Sequence, residues 1–266
     1  MIVTLLTDFG TRDYFVGALK GALLSVNPEA QIVDITHEVA PHDIEEGAFT
    51  LLAAFETFPA GTVHVAVVDP GVGSARRAVV VEGAGHLFVG PDNGVFGHVY
   101  ERLQSFRVFH VTEESFFRLP VSPTFHGRDV FAPIAGALSA GTRPSDLGPR
   151  VTDFVRLPFA APFQRDASTL VASVIHVDRF GNCVTNVTQR DLDERAIARG
   201  ARLFVEGREI SSFRRFFADD GGAEGEPFAV WGSAGLLEIA VFRDSAARVL
   251  GISRGSEFEV VFARAG

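Results

Sequence analysis

Two apolar runs that each end in an aspartate constrain this chain more than any other feature. Residues 2–7 form a nearly continuous apolar stretch closed by Asp8-Phe9-Gly10, and residues 62–68 form another closed by Asp69. Short runs without polar alternation are expected where a strand is covered on both faces. Between them, residues 14–26 carry Phe15, Leu19, Leu23 and Val26 at helical spacing, and Asn27-Pro28 stops the helix. Residues 31–35 read as a strand, 36–43 as a loop and 44–58 as a second helix, with further strands over 78–82, 86–89 and 107–110. Strand and helix in alternation predict a right-handed parallel α/β sheet. Ligands of such sheets gather outside the carboxyl ends of the strands, where Asp8 and Asp69 both fall.

The texture changes near residue 141. Residues 142–168 are proline-rich and aperiodic, which predicts a connection between domains. Beyond it, runs over 170–177, 184–187, 202–205, 228–231, 236–242 and 258–262 are short and β-prone, as in a small barrel or sandwich. The expected organisation is an α/β domain over 1–150, a linker over 151–168 and a C-terminal β-barrel over 169–266. Gly221-Gly222 and the acidic residues around them read as an exposed loop.

Composition removes several function classes. The balance of 24 basic against 33 acidic side chains, net −9, argues against a nucleic-acid partner, which would reward a basic face. The single cysteine, Cys183, allows no intrachain disulfide and no multi-cysteine metal site, and reads as a buried thiol. No run approaches the ~20 apolar residues of a membrane span, and the N-terminal residues read as a strand rather than a signal peptide. A cytoplasmic globular protein is expected, with a core in which 25 phenylalanines outnumber one tryptophan, one methionine and two tyrosines.

Several segments could carry chemistry. Asp8-Phe9-Gly10 is either a strand-end turn or a carboxylate placed to accept from vicinal hydroxyls. Asp13, five residues on, either caps the following helix or pairs with an ammonium group. Asp69-Pro70-Gly71-Val72-Gly73-Ser74-Ala75-Arg76 lacks the Gly-Lys-Ser/Thr ending of a phosphate-binding loop. It does set a carboxylate, a glycine turn and an arginine close together, although an arginine there is more often simply solvated. His126 stands in a glycine-flanked turn before a helix expected through 134–138; a lone histidine is more often structural than catalytic. His37, His42 and His126 lack the close spacing that would make metal ligation persuasive. Asp178-Arg179-Phe180-Gly181-Asn182 and Trp231-Gly232-Ser233-Ala234-Gly235 read first as hairpin turns.

Taken together, these segments resemble the S-adenosyl-L-methionine (SAM) hydroxide adenosyltransferases, relatives of the SAM-dependent fluorinating and chlorinating enzymes. The matching motifs are Thr7-Asp8-Phe9-Gly10 with Asp13, Val68-Asp69-Pro70-Gly71-Val72-Gly73 with Arg76, and Phe125-His126-Gly127-Arg128-Asp129. Pro91-Asp92-Asn93-Gly94, Asp178 with Phe180-Gly181-Asn182, and Gly232-Ser233 with Glu238-Ile239-Ala240 complete the set. The resemblance implies hydrolysis of SAM to adenosine and methionine by a catalytic trio of Asp69, Arg76 and His126. It implies Asp8 on the ribose hydroxyls, Asp13 and Asp178 near the methionine ammonium, and Ser233 near its carboxylate. Asn182 and the backbone around Val241 would hold the adenine, with Phe180 packing nearby and Glu238 in the same substrate-binding set. No metal and no cofactor are expected, and the implied assembly is a homotrimer with sites between subunits. A halogenase and a non-catalytic adenosine or SAM sensor are the alternatives. Asp69 would repel a halide and Gly127 offers no hydroxyl to hold one. Two positions depart from the fluorinating pattern: Ala234 stands where an arginine is expected, and Phe242 where an asparagine is.

Overall fold

Burial on both faces is what the unbroken apolar runs produce. In the computed structural model, which describes residues 1–157, 161–219 and 225–263, contacts divide the chain into two compact units, 1–158 and 159–266. The first unit contains β1 (Ile2–Thr7), α1 (Phe15–Val26), β2 (Gln31–Thr36), α2 (Ile44–Phe55) and β3 (Val63–Val67). It continues with β4 (Ala78–Gly83), β5 (His86–Pro91), α3 (Gly97–Arg102), β6 (Phe106–His110), α4 (Ala132–Ser139) and β7 (Arg150–Val151). Val63, Val65 and Val67 of β3 pack on one face with Leu19 and Leu23 of α1 and Ile134 and Leu138 of α4. Ala66 and Val68 face the other way, among Leu51 and Phe55 of α2 and Val99 of α3. Each β3 residue therefore meets a hydrophobic layer, and no polar alternation survives in the sequence.

The sheet is mixed rather than wholly parallel. Its seven strands run in the order β2–β1–β3–β5–β4–β6–β7. β1, β2, β3 and β5 are mutually parallel, while β4 lies antiparallel to β5 and to β6, and β7 antiparallel to β6. The reason is the two-residue connection after β4. Ala84 and Gly85 both take positive φ, 49° and 80°, as a tight hairpin turn requires, and a parallel return would need a crossover of a dozen residues or more.

The second unit holds β8 (Phe163–Asp166), β9 (Thr169–Val177), β10 (Cys183–Thr188), α5 (Glu194–Ala198), β11 (Arg202–Val205) and β12 (Arg208–Ile210). It ends with β13 (Phe213–Arg214), β14 (Pro227–Trp231), β15 (Leu236–Val241), α6 (Ala246–Leu250) and β16 (Glu257–Val261). Nine strands form one sheet in the order β12–β11–β16–β9–β10–β15–β14–β13, with β8 also on β9. The end strands β12 and β13 are not paired with each other among the described residues. β7 and β8 occupy part of the stretch expected as a connection. Cys183 is fully buried, and burial pushes its thiol up to about 11. The expected loop at Gly221-Gly222 lies outside the described residues.

Candidate active site

Parallel pairing sets the two strand-end aspartates side by side. Thr7 of β1 is in register with Val67 of β3, so Asp8 and Val68 leave the sheet together and Asp69 follows one residue later. A cavity of about 280 Å³ opens there, lined by Asp8, Asp69 and His126 together with Phe9, Phe15 and Phe125. The loop after Asp69 turns back on itself and brings Arg76 onto the carboxylate. Nε of Arg76 donates to both Asp69 oxygens at 3.0 Å, and Nη2 makes a further short contact to Oδ2. Both side chains are largely buried, at 11% and 4% exposure, so this pair is shielded from the solvent that weakens surface ion pairs.

The same guanidinium reaches the histidine. Arg76 Nη2 lies 2.8 Å from Nδ1 of His126. Arg76 has only donors, so Nδ1 must accept, which assigns the ring as neutral with its proton on Nε2. Burial pushes the His126 pKa down, and the Arg76 charge pushes it further the same way. The Arg76 guanidinium also stands 5.1 Å from the ring centroid of Phe131. A π-helical turn spans Gly127–Phe131 ahead of α4, and sequence periodicity carries no signal for it. Phe15, Phe125 and Thr124 also line the cavity without having been singled out for it from the sequence.

Asp8 holds the loop after β2 while keeping acceptor capacity. Its Oδ2 accepts from the backbone N–H of His42 at 2.9 Å. Asp13 is exposed just before α1; the cap position is Tyr14, with no side-chain cap bond, so Asp13 does not cap the helix. His37 is buried with Nδ1 2.8 Å from the Thr7 hydroxyl. No group of three or more His, Cys, Asp or Glu fit to hold a metal occurs among the described residues.

In the second unit, Asp178 organises the loop between β9 and β10. Its Oδ1 accepts from the N–H of Phe180 and of Asn182, both at 2.8 Å, and its Oδ2 from the Asn182 side-chain amide at 2.9 Å. The loop lifts Phe180 into solvent at 77% exposure while Asn182 is buried. Ser233 is exposed at the tip of the β14–β15 hairpin. Burial raises the Glu238 carboxyl pKa, with a smaller push from Asp178. Val241 is buried, and the neighbouring Phe242 packs on Phe228, Val230 and Ala240. The structure thus brings Asp8, Asp69 and His126 to one cavity, with Arg76 hydrogen-bonded to the last two, and places Asp178, Asn182, Phe180, Ser233, Glu238 and Val241 in the second unit.

Comparison with known proteins gives this cavity a lineage. The family model described as the SAM hydroxide adenosyltransferase N-terminal domain matches residues 3–148, and that of the C-terminal domain matches 172–259. The chain belongs to the SAM hydroxide adenosyltransferase family. An (R)-S-adenosyl-L-methionine hydrolase of Methanocaldococcus jannaschii is 36% identical, covering 98% of this chain and 96% of that protein. A protein of the same name from Thermus thermophilus is 39% identical over 95% and 96% of the two chains. A fluorinase of an Actinoplanes species is more distant, at 29% identity over 90% of each. Among solved structures, a conserved protein of Thermotoga maritima superposes with a TM-score of 0.90 at 34% identity, covering 98% of this chain and 100% of that one.

Proposed function

We propose that this enzyme hydrolyses SAM to adenosine and L-methionine by attack of water at the ribose C5′. The observation that carries this reading is the single guanidinium of Arg76 bridging Asp69 and His126 at the wall of the strand-end cavity. Bulk water has a pKa of about 15.7, so the site must favour the hydroxide form as the bond develops. Asp69 retains lone pairs beyond those facing Arg76 and takes the proton of the attacking water. His126, held as the Nε2–H tautomer, is a donor and not a base; it orients the water oxygen while Arg76 offsets the charge gathering there. The oxygen bonds to C5′, the C5′–S pair passes to sulfur, and methionine leaves as a neutral thioether. The reaction balances without a metal or redox group. Phe9, Phe15 and Phe125 keep the cavity poor in water, which favours the merging of sulfonium and hydroxide charges.

Water is favoured over halide by two features. Asp69 presents negative charge where an anion would sit. A side chain added at Gly127 would meet the Phe9 ring at 3.1 Å, so a hydroxyl to hold halide cannot be installed there without moving that ring. The similarity to hydrolases at 36% and 39% against a fluorinase at 29% supports the same choice.

The remaining assignments complete the proposal. Asp8 accepts from the ribose hydroxyls, and Asp13 and Asp178 meet the methionine ammonium. Ser233 meets the carboxylate, Asn182, Phe180 and Val241 serve the adenine side, and Glu238 belongs to the same substrate-binding set, in a homotrimer whose C-terminal units are barrel-like and complete the sites of neighbouring copies. The cytoplasm is the proposed location; no described helix is long and apolar enough to cross a membrane. Following the names of the relatives, the (R)-sulfonium epimer is the proposed substrate. Incubation with each SAM epimer and chromatography of the products tests this directly. Adenosine and methionine from the (R) epimer support it, 5′-haloadenosine indicates a halogenase, and bound but unchanged SAM indicates a sensor.

A further inference from the structure

The motif Pro91-Asp92-Asn93-Gly94 has no part in the reaction as described, yet two of its residues grip both ends of the loop that carries Asp69 and Arg76. Strand order explains why. β5 lies between β3 and β4, so the chain leaving β3 at Val68 must pass over the carboxyl end of β5 before entering β4 after Arg77. Asp92 and Asn93 are the two residues with which β5 continues beneath that span. The Asn93 side-chain amide donates to the carbonyl of Val68, the residue before Asp69, at 2.8 Å. Its Oδ1 accepts from the N–H of Val95 at 3.2 Å, which orients the amide. Asp92 takes the other foot: its Oδ2 accepts from Nε of Arg77, the residue after Arg76, at 2.8 Å. Arg77 Nη2 is 2.7 Å from the same carboxylate, and the Asp92 N–H donates to the Arg77 carbonyl at 2.9 Å.

We infer that Asp92 and Asn93 are positioning residues that set the approach of Arg76 to Asp69 and His126 by closing the base of their shared loop. The inference rests on the proposed hydrolysis for its kinetic expression. Asp92 is the buried partner of Arg77, with its side chain only 2% exposed, whereas Asp153, which Arg77 also bonds, is 78% exposed. Its second oxygen accepts from the Val155 N–H at 2.8 Å, so Asp92 is itself held from the far side. Mispositioning of catalytic groups by about 1 Å costs on the order of a hundredfold in rate, so a modest slackening of the loop is measurable in kcat.

The test is a double-mutant cycle on the full chain. Asp92→Asn keeps the shape but removes the charge that holds Arg77, and Asn93→Ala is the second variant should the first fold poorly. Each is expected to lower kcat about tenfold with KM within twofold, and to cause no further loss in an Arg76→Ala background, because its effect passes through Arg76. Equal losses in both backgrounds, or a change confined to KM, would overturn the inference. A second readout is independent of turnover. The His126 imidazole pKa, followed by NMR, should move up toward its ordinary value in Asp92→Asn as Arg76 recedes, and an unchanged pKa counts against the inference. A wild-type protein that leaves SAM intact would defeat the proposed function while leaving that NMR comparison decisive.

Discussion

Arg76 Nη2 stands 2.8 Å from Nδ1 of His126, and the geometry admits only one direction for that hydrogen bond, from guanidinium to ring. Protonating His126 on Nδ1 would break the bond and face two cations. Burial and Arg76 both press its pKa below the ordinary 6.5. The folded enzyme therefore keeps the ring neutral to lower pH than a free histidine. The rate should be flat down through pH 6.5 and fall only below it, and His126→Gln should lose that acid limb. A kcat–pH profile with its acid midpoint at or above 6.5 would contradict the assignment.

Asp8 offers a sharper handle on the ribose. A carboxylate accepting from vicinal hydroxyls contributes roughly 1.5–3 kcal/mol per charged hydrogen bond, equivalent to about a 10- to 100-fold change in affinity. Calorimetric titration should show wild-type protein binding adenosine more tightly than 2′- or 3′-deoxyadenosine by about that factor. In Asp8→Ala the three ligands should bind alike. Undiminished discrimination in the variant would remove Asp8 from the ribose.

Gly73 locks the Asp69–Arg76 loop against the segment that leads to His126. Its φ is +79°, and an added Cβ would lie 2.2 Å from the carbonyl oxygen of Pro123, which is backbone and cannot step aside. Gly73→Ala should cost about 1–3 kcal/mol of stability from the positive φ and the clash together, and reduce kcat as the loop is displaced. Urea unfolding and steady-state kinetics on the same preparation measure both, and a wild-type result in both would show that the loop is not held there.

A buried histidine pair away from the cavity shapes the acid response of the fold. His64 on β3 is fully buried, with Nδ1 2.7 Å from the Thr4 hydroxyl and Nε2 3.1 Å from Nδ1 of His86. Burial, with the neighbouring His86, drives its pKa down to about 3. Above pH 6.5 the ring is neutral in folded and unfolded chains alike and its titration has no effect on stability. Between pH 6.5 and about 3 the unfolded chain takes up a proton that the folded one refuses, so stability falls by ~1.4 kcal/mol per pH unit from this group. His64→Asn, which keeps an acceptor for Thr4, should start less stable at pH 7.5 but show a shallower decline to pH 4.5 in chemical denaturation.

Much of the fold and half of the site were legible in the sequence. β1 and β3 announced themselves because burial on both faces keeps charged residues out of a strand, and Asp8 and Asp69 were conspicuous as the first carboxylates after those runs. The antiparallel half of the first sheet was not foreseen, because the Ala84-Gly85 turn matters through its φ values and Ala84 is an unusual residue for one of them. Arg76 and His126, taken singly, gave weak signals; their meeting depends on a ten-residue reach between β3 and β4, which leaves no periodic trace. Phe131 was hidden for the same reason. Asp92 and Asn93 could be matched as a motif, but their task became visible only with the strand order β3–β5–β4, which sequence proximity does not reveal.

In the proposed hydrolysis a water oxygen becomes the 5′-hydroxyl of adenosine. Turnover of (R)-SAM in H₂¹⁸O, followed by mass spectrometry of the nucleoside product, measures that oxygen directly. The expected product is adenosine heavier by one ¹⁸O at the 5′ position together with unlabelled methionine. Unlabelled adenosine, a 5′-halogenated nucleoside formed in the presence of chloride, or labelled methionine would contradict it.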